Sequence, residues 1–260
     1  MEIITEWEQW LTAANRAHGT IALRTAHVRR VLDHIGLDLM SITASDILQY
    51  LAEQTWAPAT RRSYRASISS FFAFAHARGA ASWDGADLPA APVPRSVPRP
   101  ASDEIIRAAL ARADDRATLM IELMAYGGLR RCEVATVKGA DVTGQWLHVT
   151  GKGGHTRVVP LPAHLAARIR KTTGWLFPGA IDGHLSARRV GEIVGALLPD
   201  GVTAHALRHR FATCVYQRSG DIRAVQTLLG HAKLDTTMVY VAVQDAARMQ
   251  AAASSWHLVS

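Results

Sequence analysis

The chain has 260 residues, 48% of them apolar, a formal net charge of +7 and two cysteines. That is enough for one large or two modest domains with real cores, and the positive excess favours a polyanionic partner. A disulfide framework is excluded, since Cys132 and Cys214 read as two buried thiols of a reducing compartment, and no apolar run approaches the ~20 residues that span a bilayer. The opening residues MEIITEWEQW are acidic where an export signal is basic and then apolar, so a cytoplasmic protein without membrane contact is expected.

Helical periodicity begins over 21–35, where Ile21, Val28, Val31, Leu32 and Ile35 share a face. Thr43 and Asp46 form a capping-box start before Ile47, Tyr50 and Leu51. A third helix starts near Pro58, keeps Tyr64, Ile68, Phe71, Phe72 and Ala75 on one side, and ends at Gly79. Residues 1–88 therefore read as a small helical bundle. Away from the apolar side of its third helix lie Arg61, Arg62 and Arg65 among Thr60, Ser63, Ser67 and Ser69. Such a set suits phosphate oxygens without reading bases, and it equally suits an ordinary solvated face. Residues 89–100 carry Pro89, Pro92, Pro94, Pro98 and Pro100, which rules out a helix or a central strand. They read as an extended linker whose Arg95 and Arg99 either follow a phosphate backbone or decorate a solvated tether.

Most of the positive excess lies beyond residue 100: residues 101–260 hold 19 basic and 13 acidic residues, against 10 and 9 in residues 1–100. Ser102 caps a helix through Ile105, Ile106, Ala109 and Leu110, and an apolar stretch from Leu119 to Tyr126 is broken by Gly127-Gly128. The runs 146–150 and 156–161 read as two strands joined by a glycine-rich turn, and the remainder as helical apart from loops near Pro178 and Pro199. Residues 101–260 thus form a mostly α domain with one small sheet.

Exchange of phosphodiesters needs a nucleophile, donors around two non-bridging oxygens and an acid for the leaving oxygen. Candidates for each occur in this domain. Arg130 follows the double glycine, His205 and Arg208 stand three apart on one helical face, and His231 precedes Tyr240 by nine residues. Each fragment alone is common, as a structural GLR, a surface His-x-x-Arg pair or a chance LGH. His205 and His209 also have the spacing of two zinc ligands. HExxH and CxxC are absent, however, and Arg208 between them repels a cation, so no metal site is expected.

Taken in order, Arg130, Lys152, His205-x-x-Arg208, His231 and Tyr240 resemble the active-site set of the tyrosine recombinase, or phage integrase, family. GLRRCEV is similar to that family's GLR-x-x-E-L box, AHALRHRFAT to its H-x-LRH-x-FAT box, and LLGHAKLDTTMVY to its LGH-x-x-x-x-TT-x-x-Y box. The resemblance covers 101–260, while 1–88 resembles the family's helical core-binding domain in length, helix pattern and the stretch from Arg61 to Phe72. It implies a mainly α protein: a SAM-like core-binding bundle, then a catalytic domain of the DNA breaking-rejoining fold with a small antiparallel sheet.

The same resemblance implies that Tyr240 attacks the scissile phosphorus, leaving a 3′-phosphotyrosine and a free 5′-hydroxyl. Its proton passes to His205, Arg130 and Arg208 bond the non-bridging oxygens, His231 adds a hydrogen bond, and Lys152 protonates the leaving oxygen. Glu133 either orients Arg130 or His205 or makes a helix-face salt bridge, and His209 is a packed residue or a further donor. No cofactor, metal or ATP is implied. The implied partners are double-stranded DNA at attachment or core sites, three further copies in a tetramer built on DNA from free monomers, and accessory DNA-bending or directionality factors. The implied setting is a bacterial cytoplasm, at the nucleoid. The residues after Tyr240 either dock on a neighbouring protomer or fold back. Phage integration or excision is the leading role. A chromosome-dimer resolvase, a type IB topoisomerase and a DNA-binding regulator remain as alternatives.

Overall fold

The computed structural model describes residues 2–90, 99–151 and 154–230, and the chain forms two compact units, Met1–Ser96 and Val97–Ser260. The first unit is a four-helix bundle of α1 (Glu2–Ala13), α2 (His18–Ile35), α3 (Ala44–Ala52) and α4 (Pro58–His76). Three of these follow the sequence pattern. Thr43 and Asp46 make the capping box of α3, Pro58 opens α4, and α2 ends on a left-handed Gly36. The helix α1 is an addition. It buries Ile4, Trp7 and Leu11, with the Trp7 ring meeting Phe71 edge-on at 5.3 Å, while Trp10 stays exposed and blurs the periodicity. Phe71, Phe72 and Ile68 fill the bundle core, each side chain stabilising the unit by roughly 1.5–3 kcal/mol.

The second unit begins with α5 (Asp103–Arg112) and α6 (Asp115–Ala125), whose first turns are capped by Ser102 and Asp114. A single-turn helix α7 (Arg131–Ala135) leads into strands β1 (Val142–Thr143), β2 (Trp146–Thr150) and β3 (Thr156–Pro160). They pair antiparallel in the order β1-β2-β3, with Leu147 opposite Val159 and Thr150 opposite Thr156. The sheet therefore has three strands where two are legible in sequence, because a two-residue strand is too short to show alternation. Then come α8 (Ala163–Arg170), a short strand β4 (Pro178–Ile181), α9 (Ala187–Gly195), α10 (Ala204–Ser219) and α11 (Ile222–Leu229). The expected loop near Pro178 is instead β4, with proline at the strand position that tolerates it. Helix α6 runs through the core against α9 and α10, burying Met120, Ile121, Leu123 and Met124. Among the described residues, no helix is long and apolar enough to cross a membrane.

Candidate active site

The turn after α6 is made possible by Gly128. Its φ of +65° suits glycine, and any Cβ there would run into the Phe211 ring of α10. Arg130 follows as the residue before α7, and Glu133 reaches back from the third helical position to accept the Arg130 backbone N–H at 2.8 Å. The G-L-R-x-x-E spacing is thus a helix start in which the cap is a carboxylate. The same carboxylate accepts a second bond from Arg130 Nη1, also at 2.8 Å.

On α10, His205 lies in the first turn and Arg208 one turn later. Arg208 is 1% exposed. It donates to the carbonyl of Gly128 and, at 2.6 Å, to that of Leu229, and its Nη1 lies 3.6 Å from Glu133 Oε2. A guanidinium so far from water is tolerated where carbonyls and a carboxylate replace its hydration. The fixed carbonyls of Gly128 and Leu229 also tie the end of α6 and the end of α11 to the same side chain.

Arg157 was not singled out in sequence and proves central here. Its Nη1 and Nη2 bond the two oxygens of Glu133 at 2.8 and 2.7 Å, and its Nε donates to the Leu228 carbonyl at 2.8 Å. One signal for it was available: Arg157 shares the inward phase of β3 with buried Val159, where a charged residue needs a partner.

Burial by itself pushes the Glu133 carboxyl upward. The Arg157 hydrogen bonds, the Arg130 backbone N–H and the charges of Arg157 and Arg208 outweigh it and hold the carboxyl at about 2. Partial desolvation lowers the His205 imidazole, and the charges of Arg208, Arg130 and Arg131 lower it further. His205 is therefore neutral at pH 7. Its ring stands 4.3 Å from that of His209, edge to face, and desolvation followed by His205 and Arg208 brings His209 to about 4.

Arg130, Arg131, His205 and Arg208 all line one cleft of about 600 Å³ between α7, α9 and the start of α10. Arg131 is a second residue that sequence reasoning passed over; its side chain lies across Gly191 of α9. Arg130, its side chain 34% exposed, and the His205 imidazole border this cleft with Arg208 buried behind them, a set whose chemistry suits one tetrahedral anion. Cys132 also lines it. The expectation of two buried thiols is corrected: Cys132 is exposed, because α7 turns Glu133, Val134 and Ala135 inward, and Cys214 is only half-buried.

Arg61 donates to the carbonyls of Leu51 and Gln54 at 2.6 and 2.8 Å, and Arg65 donates twice to that of Leu88 at 3.0 and 2.8 Å. Arg62 and Arg99 are exposed. Arg95, Lys152, His231 and Tyr240 lie outside the described residues.

Comparison with known proteins gives the family and the fold. A model of the phage integrase family matches residues 102–247. A tyrosine recombinase XerC of Mesorhizobium japonicum is 37% identical over 243 residues, spanning 82% of this chain and 78% of that one. A tyrosine recombinase XerA of Thermococcus kodakarensis is 32% identical over 272 residues, spanning 93% and 91%. Among solved structures, a XerH site-specific recombinase bound to palindromic difH substrate shares the fold at a TM-score of 0.72, with 22% identity, covering 94% of this chain and 82% of that one.

Proposed function

The chain belongs to the phage integrase family, and from that premise we propose that it is a site-specific recombinase that cuts and rejoins duplex DNA through Tyr240. The observation that carries the proposal is the convergence of Arg130, Arg208 and His205 on one cleft, with Glu133 bonded to Arg130 and 3.6 Å from Arg208.

A phenol with a pKa near 10 needs a route for its proton before it attacks phosphorus. In this reading, His205, neutral at pH 7, takes the proton. Arg130 and Arg208 offset the charge that builds on the non-bridging oxygens, doing by hydrogen bonding what a metal does elsewhere. Arg130 spends one guanidinium N–H on Glu133 and keeps others for the phosphate, its side chain being 34% exposed. His231 adds a bond to that phosphate, and Lys152 protonates the departing 5′ oxygen. The bond from phosphorus to the 5′ oxygen breaks as the one to the Tyr240 oxygen forms, so an ester is exchanged for an ester. The energy for rejoining is retained, and attack by a partner strand's 5′-hydroxyl reverses the step without ATP.

The partner is double-stranded DNA at a core site, gripped by the first unit as well as the second, with Arg62, Arg95 and Arg99 as phosphate contacts. Monomers assemble into a tetramer on two sites, in the cytoplasm. Accessory bending or directionality proteins set the direction of exchange. Relatives named XerC and XerA favour chromosome-dimer resolution as a second role beside phage integration.

The test uses sheared DNA of the encoding genome, nicked so that a short 5′-hydroxyl fragment diffuses away and traps the cleaved state. A covalent adduct at a discrete site, transferable to a second duplex and absent in Tyr240→Phe, is the expected result, with DNA affinity of that variant within a few-fold of the parent because one hydroxyl adds little among many phosphate contacts. Relaxation of any supercoiled plasmid without site preference indicates a type IB topoisomerase instead. Binding without an adduct indicates a regulator.

A further inference from the structure

We propose that Arg157 is a positioning residue for strand cleavage: by occupying both carboxylate oxygens of Glu133, it keeps Arg130 turned toward the scissile phosphate rather than folded back onto that carboxylate. The inference rests on the recombinase reading above.

The Arg157 side chain is 7% exposed, so it does not contact DNA as a surface cation does. Its three bonds join segments distant in the chain: β3, which begins four residues after Lys152 in the sequence; α7, through Glu133; and the end of α11, through the Leu228 carbonyl. The contact with α11 is tight. A Cβ added at Gly230, just before His231, would lie 3.0 Å from Arg157 Cδ and crowd this arginine, and the φ of +63° there favours glycine. One buried side chain thus braces the segments that lead into three motifs of the site.

An ionised carboxylate offers roughly four acceptor positions. In Glu133 these go to the Arg130 backbone, to Arg130 Nη1, and to Nη1 and Nη2 of Arg157. Arg130 therefore has a single side-chain bond to Glu133 while Arg157 holds the bidentate position. Remove Arg157 and the bidentate position opens. Arg130 is the neighbouring guanidinium already bonded to Glu133, and the two-bond geometry is the stronger one for such a pair. Arg130 then turns inward and the phosphate loses a donor. Binding, spread over many contacts, stays nearly unchanged, while the chemical step slows.

The experiment measures the single-turnover rate of the Tyr240 adduct on the nicked duplex recovered in the trapping test, and affinity on the same duplex without a nick. Arg157→Met is expected to slow adduct formation roughly 100-fold, the scale of a small misplacement of a reacting group, with affinity changed less than about threefold. Arg157→Lys, which keeps the charge but cannot make all three bonds at once, is expected to lie between Arg157→Met and the parent. The decisive variant is Glu133→Gln/Arg157→Met. With the charge that captures Arg130 removed, it is expected to form adduct at least about tenfold faster than Arg157→Met alone.

A merely structural arginine predicts a different pattern: affinity and cleavage falling together, and a double variant no faster than the single one. Either outcome overturns the proposal, as does a parental cleavage rate in Arg157→Met. Absence of any Tyr240-dependent adduct from the unaltered protein overturns the recombinase reading itself and this inference with it, so the two failures are distinguishable.

Discussion

Arg61, Arg62 and Arg65 on α4, and Arg130, Arg157 and Arg208 around Glu133, are two sets of three guanidinium groups, one in each unit. In the first, Arg61 and Arg65 bond backbone carbonyls of their own bundle and Arg62 projects into solvent. In the second, all three arginines lie within ion-pair distance of one buried carboxylate, and Arg130, its side chain 34% exposed, lines a cleft. A carbonyl satisfies a guanidinium without cancelling its charge, whereas a carboxylate fixes its direction and makes each partner depend on the others. A shared carboxylate, more than the presence of arginine, is what sets the second group apart from the first.

The sharpest way to break the comparison is to remove the carboxylate. Glu133→Ala leaves Arg157 and Arg208 buried without their counter-charge, and a loss of roughly 3–5 kcal/mol is expected in urea denaturation of the second unit, with the first unit unaffected. The same pairing sets a pH dependence. Because the folded carboxyl is held at about 2 against an ordinary 4.5, its stabilisation is complete above about pH 5 and is lost as pH falls from about 4.5 to 2. On the order of 3 kcal/mol should disappear across that window in the parent, and that part of the loss should be missing from Glu133→Gln.

The carbonyl-bonded set should respond less. Arg61→Ala removes the donors to Leu51 and Gln54 at the end of α3, and is expected to destabilise the first unit by about 1–3 kcal/mol in denaturant unfolding. Arg62→Ala should leave stability within about 0.5 kcal/mol. Its effect appears instead in DNA binding, where the slope of log affinity against log salt should fall by about one. If Arg61 and Arg62 exchange these behaviours, the division of labour on α4 is wrong.

Features set by neighbouring residues could be read from sequence. Capping residues, the apolar faces of α2 to α4, the hairpin and the motif boxes all depend on spacings of a few residues, which periodicity and side-chain chemistry constrain directly. What escaped depends on contacts across the chain. Glu133 meets Arg157 24 residues away, Arg208 reaches Gly128 across 80, and Arg157 bonds Leu228 across 71. Strand β1 is recognisable only through its pairing with β2, and the exposure of Cys132 follows from which side of a five-residue helix meets the core. The motif did place Glu133 near Arg130. The bonds between those two are local to the start of α7, whereas the hold of Arg157 on the same carboxylate comes from β3, a segment with no motif of its own at that position.

The most direct test replaces one non-bridging oxygen of the scissile phosphate by a methyl group, which removes the negative charge that Arg130 is proposed to offset. On the unmodified site, Arg130→Ala should form the Tyr240 adduct at least 100-fold more slowly than the parent, a loss of about 2.7 kcal/mol of transition-state stabilisation. On the methylphosphonate site that deficit should shrink by tenfold or more. An equal deficit on both substrates would contradict the assignment of Arg130 to the phosphate.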